Sequence, residues 1–319
     1  MSKIAVVIVN YRTPELVTDC LASLKPASET LDLSVFIGDA DSQDGSVDLI
    51  QNYIAQEALD WATCFDIGRN GGFAYGNNAI VERFVQPDPS FDYVHFLNPD
   101  TYIRPGAVHA LVEFLQTHPR VAISGSRLED PDGTPRAYGF RDPGPWREFF
   151  RGARFSVLDR LFPSGSVKIA DLDHTRRVDW VTGASFMMRR AVLDEVGLMD
   201  AGYFLYFEET DLMRRTRAAG YEVWHVAESR VVHLAGQSTG VRSDSARASA
   251  PPPLSQVWLA SRARYLRKFH GNFGLVRANM CFLAGDLLYR LHRRLRARPV
   301  ENPPNMWRAY LSTPPRNDP

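Results

Sequence analysis

Apolar residues follow two rhythms along this chain, and their alternation predicts an α/β fold. Lys3 to Tyr11 (KIAVVIVNY) is a continuous β-branched run, the pattern of a strand buried on both faces in a parallel sheet. After Thr13-Pro14, residues Leu16, Val17, Cys20, Leu21 and Leu24 recur at helical spacing, and Ser34 to Asp39 reads as the next strand, so the first forty residues form a βαβ unit. Further strands are predicted at Trp61 to Asp66, from Tyr93, and from Val121, where a hairpin follows at Asp132-Gly133. Helices are predicted from Val47, after the glycine-rich stretch that ends near Asn78, over Ala107 to Thr117, and over Arg190 to Val196 with Gly197 as its stop. Tyr221 to Val226 and Ser229 to Thr239 read as two short strands. Periodicity blurs from Arg141 to Arg177, which is either a mobile lid or an accessory segment, with Arg147, Arg151 and Arg154 on its solvated face.

The pattern changes again near the C-terminus. Residues 241–254 are rich in Ser, Ala, Arg and Pro and read as a mobile loop, which closes a domain over residues 1–240. Residues 255–298 carry two basic helices, from Ser255 to Phe269 and from Leu275 to Leu295, and residues 299–319 read as a disordered tail. Leu283, Leu287, Leu288 and Leu291 interleave with Arg277, Arg290, Arg293 and Arg294, and Arg262, Arg264, Arg267 and Lys268 precede them. That pattern suits a helix lying on an anionic membrane, and equally a helix that binds a partner or is simply solvated.

Composition narrows the function classes. Thirty-seven basic residues balance 37 acidic ones, which argues against a chain that coats nucleic acid. Three cysteines without CxxC spacing suggest neither a disulfide framework nor a zinc site and fit a reducing cytoplasm. No apolar run is long enough to span a bilayer.

Candidate chemistry falls where ligands collect in open α/β sheets, at the carboxyl ends of strands. Asn10, Tyr11, Arg12 and Thr13 end the first strand, and the GDADSQDGS stretch follows the second; Asp39 there is a ligand candidate, whereas Asp44 and Ser46 read as helix caps. The RNGGFAYGNN loop combines Arg69, Asn70, Asn77 and Asn78 with glycines that allow close backbone approach; it suits an anionic ligand or, more simply, a capped helix entry. Asp100, after Asn98-Pro99, can hold a divalent metal that keeps most of its coordination for phosphate and water, or can be a turn residue. A small-residue turn, Thr182 to Ser185, follows Trp180, and His233 sits at a strand end. Glu208 and Glu209 open a helix beside Phe204, Tyr206 and Phe207. Paired carboxylates repel, which favours a general base, but an acidic first turn is also what the helix dipole selects.

Taken in order, VIVNYRT, DADSQDGS, RNGGFAYGNN, FLNPDT, VTGASFMMRR, FLYFEETDLMRR and VVHLAGQS resemble the family 2 glycosyltransferases, over roughly Ile4 to Arg267 and most closely in their bacterial rhamnosyltransferase-like branch. The resemblance implies a GT-A fold, a mostly parallel central sheet flanked by helices. It implies nucleotide-sugar contacts from Val9, Asn10, Tyr11, Asp39, Arg69, Asn70, Asn98 and Asp100, and places Trp180, Gly183 and Ala184 on the acceptor or donor-sugar side. Asp100 and His233 match the metal ligands for Mg²⁺ or Mn²⁺, although Asn98 stands where most of the family has an acid and Ala40 where it has asparagine. Glu209 matches the catalytic base, usually an aspartate, with Glu208 as its support. The implied activity is inverting transfer of a sugar, rhamnose from dTDP-rhamnose, to a hydroxyl of a lipid-linked or growing cell-surface glycan. UDP-hexose and UDP-galactofuranose are the alternative donors. A non-catalytic nucleotide-sugar-binding protein and a nucleotidyltransferase are the rivals of other classes; the second lacks its glycine and basic signature here. The expected setting is the inner face of the cell membrane, with a polyprenyl-linked or glycan acceptor as partner and no nucleic acid.

Overall fold

The computed structural model describes residues 2–136, 139–155, 161–169, 173–234, 255–303 and 306–312. In chain order these give β1 (Lys3–Asn10), α1 (Pro14–Ser28), β2 (Asp32–Asp39), α2 (Ser46–Gln56), β3 (Ala62–Asp66), α3 (Phe73–Ile80), β4 (Tyr93–Leu97), β5 (Thr101–Ile103), α4 (Ala107–Thr117), β6 (Val121–Glu129), β7 (Gly139–Phe140) and α5 (Pro145–Ala153). There follow β8 (Arg176–Val178), β9 (Trp180–Val181), β10 (Ser185–Arg189), α6 (Arg190–Val196), α7 (Glu208–Ala218), β11 (Glu222–His233), α8 (Gln256–Leu295) and α9 (Met306–Leu311). The elements divide into two compact units. One holds residues 1–139, 170–204 and 208–242, and the other residues 140–169, 205–207 and 243–319.

The first unit is built on a sheet of order β3-β2-β1-β4-β10-β6-β11-β5, with β8 on the outer side of β11. Its N-terminal block pairs in parallel, β1 with β2 and β4 and β2 with β3, while β10 runs antiparallel to both β4 and β6. Ile4 to Ile8 are fully buried, as the uninterrupted apolar run requires. The two strands expected after Tyr221 are one, because β11 continues past a register shift between Val226 and Arg230 and stays parallel to β6. That bulge absorbs the polar Ala227-Glu228-Ser229 interruption without ending the ladder. The described part of the second expected strand stops at His233; residues 235–240, and the loop expected at 241–254, lie outside the described residues.

The second unit is helical. α5 and α8 cross with backbone against backbone: a Cβ on Gly152 would fall on the carbonyl of Phe282, and one on Gly285 on the carbonyl of Phe149. Only glycine permits that approach. α8 is broken at Gly271, which takes φ 69°, so the two helices expected from the sequence meet at a kink with no intervening loop.

Several sequence expectations are corrected here. Arg147 and Arg151 do not form a solvated face. Arg147 donates to the carbonyls of Asp142 and Ser164, and Arg151 donates to Glu148 and to the Tyr310 hydroxyl. Arg154 reaches the Glu301 carbonyl. Arg262, counted with the basic face, is buried against Glu148 (2.9 Å), and Leu283 belongs to a core with Leu259, Phe282, Met306 and Tyr310. The middle of the expected tail is therefore ordered: α9 is pinned where Trp307 Nε1 donates to Asp286 (2.6 Å) and where Tyr310 stacks on Phe282 with 4.0 Å between ring centres. A polar stretch with a few large apolar residues folds when a partner surface is ready for them. That surface, on α8, lies about twenty residues upstream and is invisible to local composition.

Candidate functional site

The carboxyl ends of β1 and β2 are locked together by their own side chains. Asn10 Nδ2 donates to Asp39 Oδ2 (2.6 Å), while Asn10 Oδ1 accepts from the Thr13 backbone and hydroxyl (3.2 and 3.0 Å). Asp39 also accepts from the Ser42 amide (2.8 Å) and hydroxyl (2.7 Å). Both side chains are buried, so these bonds carry the internal polar load that burial demands. Arg12, at φ 57°, donates its amide to Ser42 Oγ (2.9 Å) and lies 5.2 Å from the Tyr11 ring. Ser42 was not singled out by the sequence reading; its place three residues after Asp39 is the signal that could have found it.

The glycine-rich loop sits beside this edge. A Cβ on Gly76 would lie 2.8 Å from Val9 Cγ1, so α3 rests directly on the end of β1. Arg69 is exposed and stacks over Tyr75 at 4.2 Å, and Asn70 Oδ1 accepts from Gly72 N (3.1 Å). Asn77 and Asn78 serve the fold: Asn77 donates to the Phe73 carbonyl (2.9 Å), and Asn78 clamps Met199 through both its backbone groups (2.7 and 3.1 Å).

That loop also meets the segment leading to the paired acids. Phe73 N donates to the Phe204 carbonyl (2.8 Å), and a side chain on Gly72 would occupy the same carbonyl's space. Tyr206 and Phe207 then take φ 72° and 73°, a left-handed pair that bulky residues adopt only where the surroundings impose it. α7 begins immediately after. Glu208 is 3 % exposed and Glu209 half-buried, both at the positive end of the helix dipole. Asp211 is held by Tyr203 Oη (3.1 Å) and Arg215 Nε (2.7 Å), and the Arg215 guanidinium also reaches the Leu198 carbonyl (2.7 Å). Asp211 thus anchors the helix and leaves Glu208 and Glu209 as its forward acids.

Glu209 borders the small-residue turn, since a Cβ on Gly183 would stand 3.9 Å from Glu209 Cβ and 3.3 Å from the Phe73 ring. The turn is tied to the end of β4, where Asn98 N donates to the Ala184 carbonyl (2.9 Å). Trp180 is half-buried on β9, whose next residue, Val181, donates its amide to the Met213 sulfur on α7 (3.2 Å). At the β4–β5 turn Asp100 is 1 % exposed, and among the described residues neither of its oxygens accepts a hydrogen bond. His233 is registered opposite Thr101, and its Nε2 stands 3.3 Å from Asp100 Oδ1. Leu234 N donates to the Asp100 carbonyl (3.0 Å), which closes the two strand ends on each other.

A buried carboxylate lacking donors is costly unless a cation accompanies it. Among the described residues no group of three or more His, Cys, Asp or Glu side chains could hold a metal alone. Asp100 and His233 therefore fit a cation that takes its remaining ligands from a diphosphate and water, and do not fit a closed protein site. The residues expected at the site are thus joined through successive contacts, from Val9 and Asp39 through Phe73 and Gly183 to Glu209, and through Ala184 to Asn98, Asp100 and His233.

Comparison with known proteins identifies the family and the fold. Residues 5–197 match the Glycosyl transferase family 2 model. The chain is 29 % identical over 269 residues to the N-acetylglucosaminyl-diphospho-decaprenol L-rhamnosyltransferase of Mycobacterium tuberculosis, covering 81 % of this chain and 84 % of that one. It is 26 % identical to the rhamnosyltransferase WbbL of Escherichia coli, over 51 % of this chain and 61 % of the relative. Among solved structures it is similar to GalNAc-T7 with UDP, GalNAc and Mn²⁺ (TM-score 0.58, 14 % identity, 97 % of this chain and 54 % of that one). It is also similar to the mannosyltransferase PcManGT of Pyrobaculum calidifontis with GDP-Man and Mn²⁺ (TM-score 0.51, 13 % identity, 97 % and 68 %). The chain belongs to glycosyl transferase family 2 and is a glycosyltransferase with the GT-A fold.

Proposed function

We propose that this glycosyltransferase moves rhamnose from dTDP-rhamnose, with inversion, to a hydroxyl of a lipid-linked glycan at an anionic membrane surface. The observation that carries the reading is the placement of Glu209 beside the Gly183 turn, which is itself bonded to the strand end that bears Asp100. The rhamnosyltransferase named for a diphospho-decaprenol substrate, similar over most of both chains, supports the choice of sugar and acceptor.

The nucleotide lies along the β1 and β2 ends, over Val9, Tyr11 and the Asp39 loop, with Arg69 and Asn70 at its edge. The acceptor hydroxyl approaches Glu209 from the side of Trp180, Gly183 and Ala184. Glu209 takes the hydroxyl proton as the oxygen attacks the anomeric carbon, and the bond from that carbon to the diphosphate oxygen breaks in line. Glu208, buried beside it, limits solvent and helps hold its neighbour's charge and position. Asp100 and His233 would hold a divalent cation, Mg²⁺ or Mn²⁺, which would neutralise charge on the departing diphosphate.

Glu209→Gln tests the assignment. Transfer should fall by about 10²–10⁴-fold, with donor affinity measured by calorimetry unchanged; transfer at the wild-type rate sinks the base assignment. A thermal-shift panel of dTDP-rhamnose, UDP-hexoses and UDP-galactofuranose tests the donor, and stabilisation by a UDP-sugar in place of dTDP-rhamnose overturns that choice.

A further inference from the structure

The second unit carries an exposed apolar surface made of residues to which no part in sugar transfer has been given above. Beyond Gly271, α8 exposes Phe273, Val276, Met280, Leu287, Leu291 and Leu295, with Phe273 77 % and Leu295 78 % exposed. Their spacing keeps them on one face of the helix, and from Phe273 to Leu295 that face runs about 33 Å. A contiguous apolar face of this length is not left to water without a partner.

Charge indicates which partner. α8 holds eight basic residues and one acid, Asp286. That acid is fully buried and accepts from Arg290 Nε (2.6 Å), Asn302 Nδ2 (2.8 Å) and Trp307 Nε1 (2.6 Å). The helix therefore shows no negative charge outward. Where the stripe meets α9 there is a cleft of about 630 Å³, walled by Leu287, Leu291 and Trp307 and edged by Arg290, Arg294 and Arg308. Arg294 and Arg308 are exposed. Apolar walls under arginine rims match an amphiphile with an anionic head, and Arg is suited to phosphate because its planar fork of donors meets two oxygens at once. No helix among the described residues is long and apolar enough to cross a membrane, so the stripe's contact with a bilayer is along its surface.

We propose that the cleft between α8 and α9 holds the phosphate of an anionic phospholipid between Arg294 and Arg308, with the Phe273-to-Leu295 stripe lying among the upper acyl carbons. This gives the membrane contact proposed above a defined site and ligand. The stripe differs from the one legible in the sequence: Leu283 and Arg262 turn inward, and Phe273, Val276 and Met280 take their place.

Flotation of the full chain with vesicles, without sugar donor or acceptor, tests this separately from transfer chemistry. Wild type should float with vesicles of phosphatidylglycerol and phosphatidylcholine, be released by high salt, and float weakly with phosphatidylcholine alone. R294E/R308E should lower the partition coefficient on anionic vesicles about tenfold or more, since basic residues close to such a surface are held there by its charge. Leu287→Ser/Leu291→Ser should lower partition on both vesicle types. All four positions are exposed at the surface, and unchanged thermal unfolding of both variants keeps the comparison valid. The proposal is overturned by equal flotation on neutral and anionic vesicles, by salt-insensitive flotation, by wild-type flotation of R294E/R308E, or by a dimer that the leucine variant turns monomeric while neither form floats. Inorganic phosphate binding that R294E/R308E abolishes, without vesicle uptake, would assign the cleft to a free anion instead. Dead transfer chemistry with intact flotation would leave the surface standing and remove only the sugar assignment.

Discussion

Two buried aspartates, one in each unit, are treated in opposite ways. Asp286 on α8 is closed off by three donors from its own unit, and with them it fixes the segment after Pro299 onto the helix. Asp100 is buried as deeply, yet among the described residues neither oxygen accepts a hydrogen bond, and His233 Nε2 stands 3.3 Å from Oδ1. Burial with donors on both oxygens suits a residue that holds the fold, and burial with neither oxygen engaged suits one that meets a ligand. Asp39 stands between the two, at a ligand-facing strand end but with its oxygens already engaged.

The contrast can be broken by paired substitutions. Asp100→Asn should lower transfer by at least about 100-fold through loss of cation-assisted departure, and leave the unfolding midpoint unchanged or raised because a poorly compensated charge is gone. A drop in midpoint comparable to that of an Asp286 variant would make Asp100 a structural residue. Asp286→Ala removes the shared partner of three half-buried donors and should cost about 1–3 kcal/mol in denaturant unfolding; a loss below about 1 kcal/mol would mean that the donors find other acceptors. Gly285→Ala drives a methyl into the Phe149 carbonyl and should cost about 1–3 kcal/mol. An unchanged midpoint would show that α5 and α8 separate easily.

The smallest effect is a pH slope from the first unit. Burial pushes the His95 imidazole down to about 4 from 6.5, so the unfolded chain binds the proton more readily than the folded one. Its contribution to stability is present above 6.5 and is lost as pH falls from 6.5 towards 4, with a slope of at most about 1.4 kcal/mol per pH unit. His95→Gln should flatten the unfolding free energy in that window, and an unaltered slope would place the titration elsewhere. Glu148 acts in the other unit and lower on the scale. Burial raises it, but Arg151 and Arg262 outweigh burial and hold it below 4.5, so its contribution persists to lower pH and is lost only as pH falls through that depressed value.

What the sequence made legible follows from how local each cause is. The β1 run and the helical spacing that follows it are local, and β1, α1, α4 and α6 appear where they were expected, the last two residue for residue, whereas α3 begins at Phe73, inside the stretch expected as a loop. The ordered motifs brought Glu209, Asp100 and His233 to notice; Asp100 and His233 meet where β5 pairs with the end of β11, and Glu209 opens α7 beside the Gly183 turn. Arg151, Arg262 and Leu283 were misread because a charged or apolar side chain on a helix declares its period and not which face is covered. Covering depends on α5 and α9, which are distant in sequence. The φ values of Tyr206 and Phe207 had no signal, since neither residue type favours the left-handed region.

The break at Gly271 has a consequence for the stripe that follows it. A continuous helix transmits azimuth: a residue's direction is set by every turn before it, at 100° per residue. At φ 69° and ψ 176° the chain leaves that count and starts a new one. The outward face from Phe273 to Leu295 is therefore oriented by the anchors downstream of the break, the Gly285 crossing and the Asp286 donors. Adding or deleting a residue between Gln256 and His270 would rephase the first half of α8 and leave the bearing of the second half as it is.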